Sequence, residues 1–465
     1  MKWFGNFFFL AVFLGTSYLF ADDGAVQWKY IRVPQKAVTR EFTEKYDFIR
    51  DHLNDEEYAL GYVRKDRFKN LTNRFGREVV ELDAREWSEN EFDIKTLLPV
   101  NRVTRPTFGP FEDYHTYTSL TAELKSLAEK FPKLVTLVSA GTTVEGRQMW
   151  YVRLTNKEVL EPTKPKLLYI SSMHGDEVTG KEMMIYLIRD LLWKHGTDTE
   201  VTKLLDFSEL FIMPSMNPDG TERHQRFNAK GVDLNRDFPE LNEAEFSMDG
   251  RAPETKAIME LHRENHFLTA LNFHGGALCV NIPWDSKANQ AGTYFADNAL
   301  MLSLAKEYAE LNDPMFDVNE ASFKNGVTYG FEWYQILGGM QDWASFFRQS
   351  VHATIEISNV KWPNASSLPT FWRDNSEALF QYLVRGATGV HLKVTDSQGE
   401  VVKNVTVETS SSKRGLFYPL GYIHRSTTLE PQQVIVRAPG FVSQTVLVNP
   451  SQFVGEYQTV TLLSR

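Results

Sequence analysis

The stretch Lys166-Leu167-Leu168-Tyr169-Ile170-Ser171-Ser172-Met173-His174-Gly175-Asp176-Glu177 decides how the chain is read. Lys166 to Ser172 is an apolar run of the length of a buried strand, and from Thr179 to Leu192 apolar residues return at helical spacing. His174 and Glu177 therefore lie on a loop between a strand end and a helix start, where sites form in open α/β sheets. From such a loop an imidazole and a carboxylate can both reach one metal ion. Zinc accepts both ligand types, and a hydrolytic site keeps one position open for water. Of the 11 His in the chain only His174 has Glu at the third position after it. Alone the pair is a weak signal, and its weight comes from what lies around it.

The whole chain sets bounds on the reading. With 465 residues, 42% hydrophobic and 24% charged, it is long enough for two or three globular domains with one large core. A formal charge of −10 argues against nucleic acid as a partner. Residues 1–21 carry Lys2, the apolar run Phe7 to Leu14 and Ala21 before Asp22-Asp23, the pattern of a secretory signal peptide. Leu19 is bulky for the third position before a cut at Ala21, so export is clearer than the cleavage site. No later segment has the roughly 18 uninterrupted apolar residues of a membrane span, so no stable span is expected after signal cleavage. The single Cys279 allows no internal disulfide and reads as a buried apolar filler. An exported chain of this size without disulfides points to the bacterial periplasm or to bacterial secretion.

Residues 22–110 read as a small α/β unit, with strand-like runs at Trp28 to Val33, Tyr58 to Val63 and Glu78 to Leu82. The acidic run Asp51 to Glu57 reads as a solvated face. A linker from Pro99 to Pro110 holds Pro99, Pro106 and Pro110. From 111 to 386 strands and long helices alternate: helix Ser119 to Lys130, strands at Leu134 to Val138, Gln148 to Leu154, Lys166 to Ser172 and Leu210 to Pro214, and a helical stretch from Gly292 to Leu311. That order implies an α/β sandwich around a mixed sheet. From 387 to 465 only short strand-like runs appear, at Val390 to Val394, Val401 to Val407, Val434 to Val436 and Thr445 to Val448, which implies a small all-β sandwich.

A third metal ligand is available in Leu271-Asn272-Phe273-His274-Gly275-Gly276, where His274 ends an apolar strand. The glycines after it let backbone approach an ion or a substrate closely. Two neighbouring ligands with one distant His is a common catalytic zinc pattern.

These pieces resemble the zinc metallocarboxypeptidases, in particular the regulatory subfamily of carboxypeptidases E, N and D. The resemblance runs in order through His174 and Glu177, Asn217-Pro218-Asp219-Gly220, Gly231-Val232-Asp233-Leu234-Asn235-Arg236, His274-Gly275-Gly276, Tyr334 to Trp343 and Thr354-Ile355-Glu356. The C-terminal unit is similar to the transthyretin-like domain of that subfamily, and the N-terminal unit to propeptide-like domains. The resemblance implies a carboxypeptidase-like fold with one Zn²⁺ per chain on His174, Glu177 and His274. It implies zinc-activated water with Glu356 as general base, and peptide or protein C-termini as substrates. Neutral His and carboxylate ligands would also accept cobalt or manganese.

The remaining roles follow from the same resemblance. Asn235 and Arg236 would hold the substrate's terminal carboxylate, for which a planar guanidinium is suited. Arg226 would stabilise the developing oxyanion; Arg223 is the rival, and spacing favours Arg226. Tyr334 would close over the bound substrate. Asp285 would pair with a basic C-terminal side chain, with Gln341 at the pocket base, so that Lys and Arg are preferred; an alternative is that Asp285 caps a helix. Two other functions stay open: trimming of cell-wall peptides, and a catalytically inactive peptide-binding relative. If the N-terminal unit is a propeptide, the linker is where it would be cut.

Overall fold

Alternation along the first strand explains how the N-terminal unit is built. The computed structural model describes residues 28–46, 48–54, 58–82, 113–287, 294–320 and 323–465; the expected signal segment and the linker at 99–110 lie outside them. Strands β1 (Trp28–Pro34), β2 (Ile49–Asn54), β3 (Tyr58–Arg64) and β4 (Val80–Glu81) form a sheet in the order β2-β3-β1-β4. Ile31 and Val33 face one way, into a core with Phe42, Val63 and Leu71 closed by the helices Arg40–Tyr46 and Lys65–Phe75. Tyr30 faces the other way and clusters with Leu60, Tyr62 and Phe227, a residue of the central domain. The expected strands at 28–33 and 58–63 are present, and that at 78–82 is reduced to β4. Of the run read as a solvated face, 51–54 belongs to the edge strand β2.

The central sheet contains β5 (Val135–Thr142), β6 (Gln148–Leu154), β7 (Lys166–Ser171), β8 (Glu209–Met213), β9 (Thr269–His274) and β10 (Ala277–Ile282). It is completed by β11 (Asn319–Glu320), β12 (Phe323–Lys324), β13 (Val327–Tyr329) and β14 (Val351–Ser358). The ten strands lie in the order β11-β12-β13-β10-β14-β9-β7-β8-β6-β5. β7 runs parallel to β8 and β9, and β9 to β14, while β10 is antiparallel to β14, so the sheet is mixed as expected.

Each face of this sheet has its own core. Leu167 and Tyr169 pack with the helices Thr179–Lys194 and Leu368–Gly386, whereas Leu168 and Ile170 pack with Pro253–Glu264 and Met340–Phe347. The helix after the His174 loop lies deepest, with Met183, Ile185, Leu187, Ile188 and Leu191 fully buried. Burying side chains of this kind stabilises by about 1.5–3 kcal/mol each, which anchors the loop that precedes them. The expected helix at 292–311 is narrower, Asn298–Glu310. Among the described residues no helix is long and apolar enough to cross a membrane.

The C-terminal unit is all-β, as read. Its strands are β15 (Thr388–Thr395), β16 (Val405–Thr409), β17 (Ser412–Tyr418), β18 (Tyr422–Ser426), β19 (Gln432–Arg437), β20 (Gln444–Val448), β21 (Ser451–Gln452) and β22 (Gln458–Thr461). β18, β15, β21 and β22 form one sheet, and β17, β16, β19 and β20 the other. Val390, Leu392, Val407, Ile423, Val434 and Val436 fill the space between them. The unit is tied to the central domain by Arg425 and Asp297 at 3.5 Å, and by His424, whose ring meets Thr163.

Candidate active site

Strand register brings the predicted residues together. β9 and β14 are parallel with His274 opposite Glu356 and Asn272 opposite Thr354; on the far side of β14, Asn281 of β10 also pairs with Thr354. Paired residues project from the same face, and so do residues two apart. His274, Asn272, Thr354, Glu356 and Asn281 therefore share one face at the end of the sheet. The His174 loop enters beside them from β7, the neighbour of β9.

That loop turns sharply. Ser172 holds a left-handed φ of 49°, and its hydroxyl donates to the Glu177 carbonyl at 3.0 Å. Gly175 is required by space: a Cβ there would lie 2.1 Å from the Gly220 carbonyl carbon. Asn217 caps the Pro218–Glu222 turn by accepting from Gly220 N–H, and its amide also donates to the Met173 carbonyl at 3.2 Å. The Asn217-Pro218-Asp219-Gly220 segment is thus the floor on which the His174 loop rests.

His174 Nδ1, Glu177 Oε2 and His274 Nδ1 form a triangle with sides of 3.0, 2.8 and 3.0 Å, all three residues buried. Two imidazole nitrogens and one carboxylate oxygen converging on a point suit a zinc ion with one position left for another ligand. The outer nitrogens fix the tautomers. His174 Nε2 faces Asp233 Oδ1 at 3.1 Å, so it carries the hydrogen and leaves Nδ1 free to ligate. His274 Nε2 lies 2.7 Å from the Asn272 side-chain nitrogen, and a half-turn of that carboxamide puts its oxygen, which has no hydrogen-bond partner, in the place of the acceptor that a metal-ligating His274 needs.

Charge in the site favours a cation. Burial would raise the pKa of Glu177, but His174 and His274 hold it well below the usual carboxylate range. Burial likewise opposes ionisation of Asp233, and Arg226 with His174 holds it ionised. Burial pushes His274 down to about 4, leaving the neutral imidazole that metals bind. His174 is lowered by burial and Arg226 and raised by Glu177 and Asp233, and the carboxylates prevail.

The other predicted residues fall around this triangle. Arg226 is buried, with Nε donating to Asp233 Oδ2 at 2.9 Å and Nη1 lying 3.4 Å from Glu177 Oε1. Arg223 instead sits at the surface, paired with Glu145. Asn235, Asp285, Tyr334, Thr354 and Glu356 line one cavity with His174 and His274. Asn235 accepts from Met340 N–H at 3.1 Å, and the Arg236 guanidinium donates to the Asn235 carbonyl at 2.9 Å. Among the described residues Asp285 heads no helix. It is buried, and Oδ1 accepts from the Asn281 amide at 3.0 Å. Gln341 is buried close enough to Asp285 to bias its charge. Burial first, then the carboxylate of Asp342, push the Asp285 acid well above its usual range, and Arg236 acts against them.

Several residues at the site were not singled out from sequence. Asp233 lay within the quoted Gly231 to Arg236 motif without a role, and Asn272 stands two residues before His274, where the period of a strand puts it on the same face. Asn281 and Asp342 flank Asp285 and Gln341. Lys361 is the least legible: its buried ammonium comes within 3.4 Å of Asp176 and 3.6 Å of Glu177, from a loop with no motif.

A mixed α/β sandwich with a His-Glu-His cluster at its strand ends, next to a further buried carboxylate, is the architecture of a zinc-dependent hydrolase. The sequence profile of the zinc carboxypeptidases matches residues 120–378, more than half of the chain, and the protein belongs to that family. It is therefore a metallocarboxypeptidase, and zinc is its metal. Mouse (Mus musculus) carboxypeptidase M is 36% identical over 320 residues, covering 64% of this chain and 72% of the relative. Human (Homo sapiens) carboxypeptidase D is 35% identical over 321 residues, 64% of this chain, which spans only 23% of that longer protein. Among solved structures, carboxypeptidase A from Helicoverpa armigera superposes with a TM-score of 0.56 at 20% identity, covering 78% of this chain and 98% of that one. Thrombin activatable fibrinolysis inhibitor gives 0.54 at 16%, covering 77% and 98%. These two share the fold.

Proposed function

We propose that this enzyme removes single residues from the C-termini of peptides, with a preference for Lys and Arg. The observation that carries the reading is the cavity lined by His174 and His274 of the His-Glu-His cluster, by Glu356 and by the buried Asp285. Zinc held by His174, Glu177 and His274 would supply a Lewis acid and a water of lowered pKa. Glu356, on the strand next to His274, is at hand to take a proton from that water and pass it to the leaving amine. Arg226 supplies a cation beside the reacting carbonyl, Asn235 and Arg236 bind the terminal carboxylate, and Tyr334, which lines the cavity, closes over the substrate.

Specificity rests on Asp285 and Gln341. An apolar side chain would leave the buried Asp285 carboxyl facing hydrocarbon, whereas an ammonium or guanidinium restores its charge and its hydrogen bonds. In the same reading residues 1–21 direct export to the periplasm or beyond, 22–110 form a propeptide-like unit, 111–386 the catalytic domain and 387–465 a transthyretin-like domain. The test is Glu356→Gln. Turnover is expected to fall by about 10²–10⁴-fold while bound zinc, measured by mass spectrometry of the metal, stays at the wild-type ratio. A variant that keeps its rate overturns the role of Glu356.

A further inference from the structure

We infer that Asp342 is a positioning residue for the side-chain pocket: it fixes the direction of the Asp285 carboxylate and adds a second negative charge that selects a cationic substrate side chain. The inference rests on the reading of Asp285 given above.

Asp342 is the third residue of the helix Met340–Phe347, and its carboxylate leaves the helix to grip the loop that follows β10. Oδ1 accepts from Asp285 N–H at 2.9 Å. Oδ2 accepts from Ser286 N–H at 3.0 Å and from the Ser286 hydroxyl at 2.6 Å. The Asp285 carbonyl is held on its other side by Ile336 N–H at 3.1 Å. With the main chain clamped at both ends, the side chain has one course, between Asn281 and two glycines. A Cβ on Gly330 would come within 1.7 Å of Asp285 Oδ1, and one on Gly339 within 3.3 Å of Oδ2. The carboxylate is thus aimed by the Asp342 clamp and confined by backbone.

The charges around the clamp give it a second effect. The groups bearing on Asp285 are Asp342, Arg236 and the neutral Asn281 and Gln341. Asp342 is itself buried, and Lys287 brings a positive charge to bear on it. Two buried carboxylates sharing one loop cannot both ionise cheaply, and a substrate cation beside Asp285 relieves the pair. Asp342 is not among the residues lining the cavity beside the metal cluster, and it would act through Asp285 and the loop.

The experiment measures kcat and KM on peptides that differ only in a terminal Arg or Leu, across the acid limb of the pH profile. It uses zinc-loaded wild type, Asp342→Asn, Ser286→Ala and Asp285→Asn. With Asp342→Asn, KM for the Arg peptide is expected to rise about tenfold, with kcat and the Leu peptide changed by less than about threefold. The acid limb for the Arg peptide should move to lower pH, because Asp285 loses a neighbouring negative charge; a merely structural role would leave that limb in place. Ser286→Ala removes one of the three donors and keeps the fold accessible, so a smaller KM rise in the same direction is expected. If wild type prefers Arg and Asp285→Asn abolishes the preference, but Asp342→Asn and Ser286→Ala change neither KM nor the acid limb, the role of Asp342 is overturned and that of Asp285 stands. If wild type shows no preference for Arg, the reading of Asp285 fails and this inference with it.

Discussion

Tyr62 donates its phenolic hydrogen to Asp176 Oδ2 across 3.2 Å, and Asp176 is the residue before Glu177. The N-terminal unit thereby reaches the loop that carries two of the three residues suited to hold zinc. Around this bond Trp28 stacks on Phe227 with centroids 4.8 Å apart, and its indole donates to the Gly231 carbonyl at 2.9 Å. The Tyr62 ring meets Phe227 edge-on and faces the cations of Arg226 and Lys361. Aromatic pairs of this kind contribute about 0.5–1.5 kcal/mol each beyond the area they bury, so the docking is specific without being irreversible.

The expectation from this contact is slower turnover with the N-terminal unit attached. In the full chain, Trp28→Ala combined with Tyr62→Ala is expected to raise kcat/KM on a peptide substrate by roughly tenfold, the equivalent of losing one or two such contacts. Proteolytic removal of residues up to about 112 should raise it at least as far. Equal kinetic constants for all three forms would show that the contact has no part in access to the cleft.

Outer hydrogen bonds to ligating imidazoles orient them, and their loss weakens metal binding by about 10–100-fold. Asn272→Ala, which deprives His274 Nε2 of its partner, should therefore weaken zinc affinity within that range, as measured by competition against a chelator. Asp233→Asn, which alters the partner of His174 Nε2, should weaken it less. Unchanged affinity in Asn272→Ala would remove Asn272 from the metal site.

The fold and the metal cluster were legible because both depend on local pattern. The apolar run before His174 and the helical spacing after it are signals that survive in any context. His274 could be added because it ends a strand and precedes two glycines. What could not be read depends on pairing between distant segments. The strands β17 and β18 were missed because Lys413, Arg414, Tyr422, His424 and Arg425 break the apolar alternation; Arg425 is nevertheless buried, its guanidinium satisfied by the Val407 and Arg414 carbonyls. Asp342 lay within the quoted Tyr334 to Trp343 stretch without a role, because its partners, Asp285 and Ser286, are on a loop more than fifty residues earlier in the chain. Arg223 and Arg226 are three residues apart and chemically identical, and only the fold sends one to Glu145 at the surface and the other to Asp233.

The joint between the central and C-terminal units contains a pair of imidazoles that should make it acid-labile. His391 Nε2 donates to the Ser451 carbonyl at 3.0 Å, and its Nδ1 lies 3.0 Å from His424 Nδ1. His424 Nε2 lies 3.0 Å from the Thr163 hydroxyl and 3.1 Å from the Thr163 carbonyl of the central domain. Burial holds His391 at about 4 and His424 at about 3, below the ordinary 6.5.

The sign follows from these values. As pH falls below 6.5 the unfolded chain binds protons that the folded pair refuses until about 4 to 3, so stability is lost through that window. The slope is up to about 1.4 kcal/mol per pH unit for each imidazole. Thermal melts of His391→Gln with His424→Gln should therefore decline less steeply with falling pH than wild type. They should retain some slope, because His266 and His352 are held at about 4 and 3 by burial elsewhere. Identical slopes would mean that the pair does not stay neutral in the folded protein.

The central claim is that one cavity joins metallocarboxypeptidase chemistry to a pocket for a basic side chain. It is tested most directly by mass spectrometry of peptides that differ only in a last residue of Arg, Lys, Leu or Phe, after incubation with the zinc-loaded enzyme freed of its N-terminal unit. The expected result is loss of one terminal Arg or Lys, with Leu and Phe released at least about tenfold more slowly. Release of Leu or Phe as fast as Arg would contradict the role of Asp285, and no release from any of the four, with zinc bound, would contradict peptide C-termini as the substrate.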